Sequence, residues 1–382
     1  MRLSIVIPAY NEEQAIAAVV ENIREARGAI LKDTGIRDVE ILVVDDGSRD
    51  RTAEIVRGYP DVKLVQHSRN RGYGAALATG FEKARGEVLG FLDGDGTCDA
   101  VDFVPLCRKL EEADLVLGTR LSSSSRMPKI RRLGNRIFAA LTRLLSGKAV
   151  TDIATGMRVF RRGVLDRLPP LPTGLHYTPA MTCHALFLTD LRVAEESISY
   201  SNRVGRSKLS VVKDGFRFLK IILDSALVYL PLKILGPIGL LFLLIAGAYS
   251  VGPIRHYLRA RSLQEETIYR LLAIAALVAV GLIFILAGLV AQKIVHLIRG
   301  VPTRSRLLHR PRFQHLLLLL GMILALSGIA INVPNLIEYV RYGRVQLHWV
   351  YVLVGGMSVV SGSALFAFGL LSRLIDLLQK PR

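Results

Sequence analysis

The chain has 382 residues, 51% of them hydrophobic and 21% charged, with a mean hydropathy of +0.37. That balance excludes a disordered chain and is high for a purely soluble protein, while the length suits two or three domains. Fifty Lys and Arg against 32 Asp and Glu leave a net charge of +18, which points to a polyanion, an anionic membrane face or a phosphorylated substrate.

In chain order, Leu3–Ile7, Val39–Val44, Val62–Val65, Val88–Leu92 and Leu115–Leu117 read as strands. Glu12–Arg27, Ala75–Arg85 and Val101–Glu111 read as helices between them. Alternation at this spacing predicts an α/β fold with a mostly parallel sheet, and the unbroken apolar strands predict that both sheet faces are covered. The apolar run after Met1 is too short for a signal peptide and is assigned to the first strand. In Lys208–Val228 the polar residues, among them Lys213, Arg217 and Lys220, recur at three- and four-residue intervals. That is the pattern of an amphipathic helix with a basic polar side, suited to a membrane interface.

Beyond residue 230, four stretches carry no charge: Ile234–Ile254, Leu271–Gln292, Leu316–Ile337 and Leu347–Ser372. Each reaches the roughly 20 apolar residues that span a bilayer core. Tyr339, Trp349 and Tyr351 stand at segment ends, where an aromatic belt would lie. With the N-terminal part cytoplasmic, the inner flanks hold sixteen Lys and Arg and the outer loops six. This positive-inside bias places both termini inside.

Three acidic clusters lie at strand ends: Pro8-Ala9-Tyr10-Asn11-Glu12-Glu13, Asp45-Asp46-Gly47-Ser48 and Asp93-Gly94-Asp95-Gly96-Thr97. Ligands of open α/β sheets bind beyond the carboxyl ends of strands, so the three clusters converge on one crevice. Asp93 and Asp95, two apart across a glycine, present paired carboxylates to one hard cation, Mg²⁺ or Mn²⁺, which would then bind substrate phosphates. The run Arg71-Gly72-Tyr73-Gly74-Ala75-Ala76-Leu77 fails as a dinucleotide fingerprint because Leu77 replaces the last glycine. Arg120 follows the fifth strand through Gly118-Thr119, where a guanidinium suits a phosphate. The histidines show no metal-ligand spacing. The cysteines Cys98, Cys107 and Cys183 form neither a CxxC nor an even set, which argues for a reducing compartment.

These clusters, with Asn70 before Arg71-Gly72-Tyr73-Gly74, Gly118-Thr119-Arg120, and Asp152 followed by Thr155-Gly156-Met157-Arg158, occur in an order that resembles family 2 glycosyltransferases. The resemblance is to the polyprenyl-phosphate glycosyltransferases typified by dolichol-phosphate mannose synthase, and it covers about residues 3–210. It implies a nucleotide-sugar-binding domain of the GT-A type over residues 1–207. An interfacial helix over 208–230, four transmembrane helices over 231–373 and a cytoplasmic tail over 374–382 complete the expected organisation. Carried over by position, Pro8, Tyr10, Glu12, Asp45, Asp46, Asp93 and Arg203 resemble nucleotide-sugar ligands. Asp93, Asp95 and Thr97 resemble the metal site, Thr97 standing where many members carry Gln. Arg120, Arg131 and Asn135 resemble the acceptor-phosphate site, Asn135 falling where Ser is expected, and Asp95 and Arg120 are the catalytic candidates.

The implied reaction moves a sugar from a nucleotide diphosphate to a polyprenyl phosphate, dolichyl or undecaprenyl, at the cytoplasmic face of the cell membrane. A lipid monophosphate is largely dianionic at neutral pH and attacks the anomeric carbon without a protein base, so direct displacement inverts that centre. The expected partners are the nucleotide sugar, the lipid phosphate and the membrane, with no nucleic acid; a homo-oligomer is compatible with the sequence but not specified by it. Two competing readings are a processive polysaccharide synthase and a lipid–sugar carrier without enzymatic activity. The synthase reading usually carries Gln-x-x-Arg-Trp, and the only tryptophan here is Trp349 inside a span. The carrier reading calls for charges inside the spans, and the four segments hold none.

Overall fold

The computed structural model describes residues 1–120, 129–188, 191–201, 203, 211–260, 267–299, 311–343 and 349–379. The chain divides into two compact units, Met1–Ala226 and Leu227–Arg382. The boundary expected at residues 207 and 208 lies outside the described residues, as do Arg206, Arg304 and Arg344 from the charge count.

The five predicted strands are all present, as β1 (Arg2–Ala9), β2 (Asp38–Asp45), β3 (Val62–Gln66), β4 (Val88–Leu92) and β5 (Leu115–Thr119). Two more, β6 (Met157–Arg161) and β7 (Val193–Ser197), complete a seven-stranded sheet in the order β3-β2-β1-β4-β6-β5-β7. Four pairings are parallel; β6 makes the two antiparallel ones, with β4 and β5. The unbroken apolar strands are buried as their composition requires: in β1 every residue after Arg2 is buried.

The helices of this unit are α1 (Ile16–Asp33), α2 (Thr52–Arg57), α3 (Tyr73–Lys83), α4 (Phe103–Lys109), α5 (Lys129–Ser146), α6 (Gly163–Arg167), α7 (Tyr177–Phe187) and α8 (Val211–Tyr229). Helix α1 buries Ile16, Val19, Val20, Ile23, Ala26 and Ile30, a stripe at helical period that covers the sheet. It starts later than the Glu12 expected; before it, the Glu12 and Glu13 amides donate to the side chains of Thr52 (2.9 Å) and Asp50 (3.1 Å). Helix α4 is entered through a 3₁₀ turn over Ala100–Asp102, where a continuous helix from Val101 was expected.

Helix α5 is apolar on two sides. Its inward face carries Asn135, Ala139, Thr142 and Leu145, while Ile130, Leu133, Ile137 and Leu144 are each more than half exposed on the other side. Helix α8 buries Asp214 and Phe218 and exposes Phe216, Lys213 and Lys220. Phe218 meets Phe138 of α5 edge-on, with ring centroids 6.1 Å apart.

In the second unit, α9 (Pro231–Ala260), α10 (Ile268–Arg299), α11 (Pro311–Tyr342) and α12 (Trp349–Gln379) are each long and apolar enough to cross a membrane. They pack as two hairpins, α9 on α10 and α11 on α12, joined through α10 and α12. The helices run past the charge-free segments, and one such extension carries a buried charge. Lys293 of α10 is 1% exposed and donates to the Ser372 carbonyl (3.1 Å) and hydroxyl (2.5 Å) and to both Asp376 carboxylate oxygens (3.1 and 3.0 Å) on α12. Gln314 of α11 donates to the same carboxylate.

Candidate active site

The three acidic clusters meet, as their strand-end positions require. They open onto a cavity of about 470 Å³ lined by Pro8 near the end of β1, Tyr10 and Glu12 after it, Asp46 after β2, and Asp93 and Asp95 after β4. The first two loops are stitched together. Asn11, in the left-handed region at φ 51°, accepts the Arg49 amide (2.8 Å), and its own amide donates to the Ser48 hydroxyl (2.8 Å).

The paired aspartates of the second cluster have separate tasks. Asp46 lines the cavity, yet its carboxylate is occupied by His67 Nδ1 (2.7 Å) and by the amides of Arg71 and Gly72 (both 2.8 Å). It thereby pins the glycine turn, where Gly72 at φ +100° leaves no room for a Cβ beside the Thr173 carbonyl. Asp45 lies beneath the cavity rather than on its wall: it is 2% exposed and accepts from the Ser48 amide (3.0 Å) and Gln66 Nε2 (3.1 Å). These two bonds tie Asp45 to the loop after β2 and to β3.

Asp93 is held by a device that the sequence pattern does not announce. Antiparallel β6 brings its first residue, Met157, opposite Leu92, which sets Gly156 against the end of β4. A Cβ on Gly156 would lie 1.9 Å from Asp93 Oδ2, so only glycine admits the carboxylate there. The Tyr73 hydroxyl donates to Asp93 Oδ1 (2.7 Å). Burial, and after it the charge of Asp95, pushes the Asp93 carboxyl up to about 7. Asp95 is turned by Thr97, whose amide (3.2 Å) and hydroxyl (2.7 Å) both donate to Oδ1. Thr97 is 3% exposed, and through these two bonds it orients Asp95.

A divalent cation fits this arrangement. Two crowded carboxylates, one kept from ionising freely by burial and by its neighbour, suit Mg²⁺ or Mn²⁺, which take their other ligands from water and substrate phosphates. No cluster of three or more His, Cys, Asp or Glu occurs among the described residues, so a closed all-protein cage is not on offer.

Arginines face the carboxylates. Arg120, Arg131, Arg203 and Arg217 line the same cavity. Arg120 is committed: Nε and Nη2 donate to Asp152 (2.7 and 2.9 Å), and its guanidinium lies over the Tyr200 ring at 5.4 Å. Burial works against both charges of this pair, and their mutual attraction outweighs it, raising Arg120 and lowering Asp152. Glu195 of β7 sets Asp152 in place by accepting the Thr151 and Asp152 amides (2.8 and 2.9 Å). Asn135 is 7% exposed and off the cavity wall; its Nδ2 donates to the Thr151 carbonyl (3.2 Å), so it braces the loop before Asp152. Tyr73, Gly156, Asp152, Tyr200 and the α8 pair Arg217 and Phe218 were given no separate site role from sequence. The Asp152…Thr155-Gly156 spacing was the signal for two of them.

Residues 4–168 match the family model described as glycosyl transferase family 2. The chain is 31% identical to the dolichyl-phosphate hexose transferase of Haloferax volcanii over 224 residues, 56% of this chain and 89% of that protein. It is also 31% identical to the low-salt glycan biosynthesis hexosyltransferase Agl6 of the same organism over 256 residues, 64% of this chain but only 59% of Agl6. Glucosyl-3-phosphoglycerate synthase from Mycobacterium tuberculosis, solved with Mn²⁺, UDP-glucose and phosphoglyceric acid, aligns at 21% identity and a TM-score of 0.45 over 59% of this chain and 79% of that one. The chain belongs to the family 2 glycosyltransferases, and its first unit has the expected GT-A type of mixed α/β sheet.

Proposed function

We propose that this protein transfers a sugar from a nucleotide-diphosphate sugar to a polyprenyl phosphate at the cytoplasmic membrane face, with inversion at the anomeric carbon. One observation carries the reading: a single cavity is lined by the Asp93 and Asp95 carboxylates together with Arg120, Arg131, Arg203 and Arg217, and no His or Cys lines it among the described residues. Such a site suits two anionic reactants whose nucleophile is already ionised. The name of the dolichyl-phosphate hexose transferase supports the acceptor class.

Asp93 and Asp95 would hold Mg²⁺ or Mn²⁺, which when bound supplies charge neutralisation to the leaving diphosphate. Tyr73 and Thr97 keep the two carboxylates in register. Arg131 and Arg217 come from α5 and α8, the helices with exposed apolar residues. That placement suits a phosphate arriving from a membrane surface, and the positive-inside bias supports the cytoplasmic one. The test is to incubate the detergent-purified protein with undecaprenyl or dolichyl phosphate and a panel of UDP- and GDP-sugars. Lipid-linked sugar of inverted configuration is the expected product; transfer only to a soluble acceptor would overturn the reading.

A further inference from the structure

Asp95 presents its two oxygens differently. Oδ1 is turned inward onto Thr97, so a ligand in the cavity must meet Oδ2. That oxygen is ion-paired with Arg203 Nη1 at 3.1 Å, while Arg203 Nη2 donates to Glu12 Oε1 at 2.8 Å. One guanidinium thus spans the carboxylates after β1 and β4, across the mouth of the dyad. Its third edge, Nε, is buried without a hydrogen-bond partner among the described residues. The side chain is 23% exposed, and those of Glu12 and Asp95 are 10% and 11% exposed, so the pairing is only weakly screened by solvent.

We infer that Arg203 is an internal counter-ion that competes with the divalent cation for Asp95, so that the cation enters together with the nucleotide diphosphate rather than ahead of it. The inference rests on the reading of Asp93 and Asp95 as the cation site. A bare cation must displace Arg203 from Asp95 Oδ2, breaking that ion pair and leaving part of a largely buried guanidinium without an acceptor. A cation arriving with a diphosphate meets a different balance. The phosphoryl oxygens offer Arg203 replacement acceptors of the same charge, including one for the orphaned Nε, and Asp95 Oδ2 is released without leaving a cation unpaired. Arg203 is in this sense a positioning residue that sets the order in which the site fills. A lysine there would keep the charge, but its single ammonium cannot reproduce the planar fork that reaches both carboxylates.

The test measures Mn²⁺ binding to the purified full chain in detergent, by the loss of the free-ion paramagnetic resonance signal, with and without UDP or GDP. Circular dichroism and thermal melting confirm the fold of each variant. Without nucleotide, Arg203→Gln and Arg203→Lys should both bind Mn²⁺ at least about tenfold more tightly than the unaltered chain. With saturating nucleoside diphosphate that advantage should vanish or reverse. Equal or weaker Mn²⁺ binding by Arg203→Gln would overturn the inference, and so would tightening in Arg203→Gln alone, which would show a general charge effect instead of the bridge. If no variant binds Mn²⁺ under either condition, the cation site itself is misassigned and the inference falls with it.

Discussion

Gly156 and Asp93 show how much of the site depends on single atoms. Adding one methyl to Gly156 forces the Asp93 carboxylate aside, and overpacking of this kind costs about 1–3 kcal/mol. Gly156→Ala should therefore weaken Mn²⁺ binding in the presence of nucleotide by about tenfold or more, measured by calorimetry, with an unchanged circular dichroism spectrum. Arg120 behaves differently. Its partner Asp152 is fully buried, so Arg120→Ala strands a charge and should lower unfolding stability by about 3–5 kcal/mol. Arg120→Met with Asp152→Leu should recover most of that loss in a denaturant titration, and recovery of stability without activity would assign Arg120 a role in chemistry as well as in folding. The strand-end acids were legible because Asp and Gly after an apolar run mark both a turn and a ligand crevice. Arg158 shows the opposite case. It is fully buried in β6, donating to the Ile153 and Thr155 carbonyls, and a charged residue in mid-strand breaks the apolar signature by which the other strands were found.

At the scale of elements, α5 was hidden for a related reason. Arg131, Arg132, Arg136 and Arg143 interrupt its apolar residues, of which Ala139 and Leu145 are buried while Ile130, Leu133, Ile137 and Leu144 face outward. From the sequence these arginines are read one by one, and no helix is expected over Lys129–Ser146. The exposed stripe of Leu133 and Ile137, with cations around it, suits an anionic bilayer surface, and removing such side chains from water is worth about 1.5–3 kcal/mol each. Leu133→Glu with Ile137→Glu should lower transfer to polyprenyl phosphate in liposomes by at least about tenfold. Nucleotide affinity, measured calorimetrically, should stay unchanged. Loss of nucleotide binding in that variant would show instead that α5 supports the donor site. The edge strand β7, Val-Ala-Glu-Glu-Ser, lacked any strand signal; it is fixed by pairing with β5 and by the amides that Glu195 collects.

For the whole molecule, the four spans were legible from length and composition, while the Lys293–Asp376 pair was not, since it joins residues far apart in sequence just beyond the charge-free segments. Lys293→Met removes the ammonium's bonds to Asp376 and Ser372 and should cost about 1–3 kcal/mol in detergent, read as a lower melting temperature. Adding Asp376→Leu should restore most of it. Sidedness has its own test. Cysteines at Arg304 and Arg344 should label from opposite sides of sealed vesicles, with Arg304 cytoplasmic. Background should be low because the three native thiols are buried, burial pushing Cys107 up to about 12. Labelling from one side would break the four-span topology.

The same pair imposes a schedule on synthesis. Lys293 leaves the ribosome 83 residues before Asp376 exists. At about 5–20 residues per second, that is an interval of about 4–17 s. For those seconds the first hairpin carries a cation without its mate and must keep it extended toward the headgroups. Arrival of the last helix ends the wait: the hairpins can close on each other only once the final thirty or so residues are made, so truncation shortly before Asp376 leaves the first hairpin with the charge its partner was to cancel.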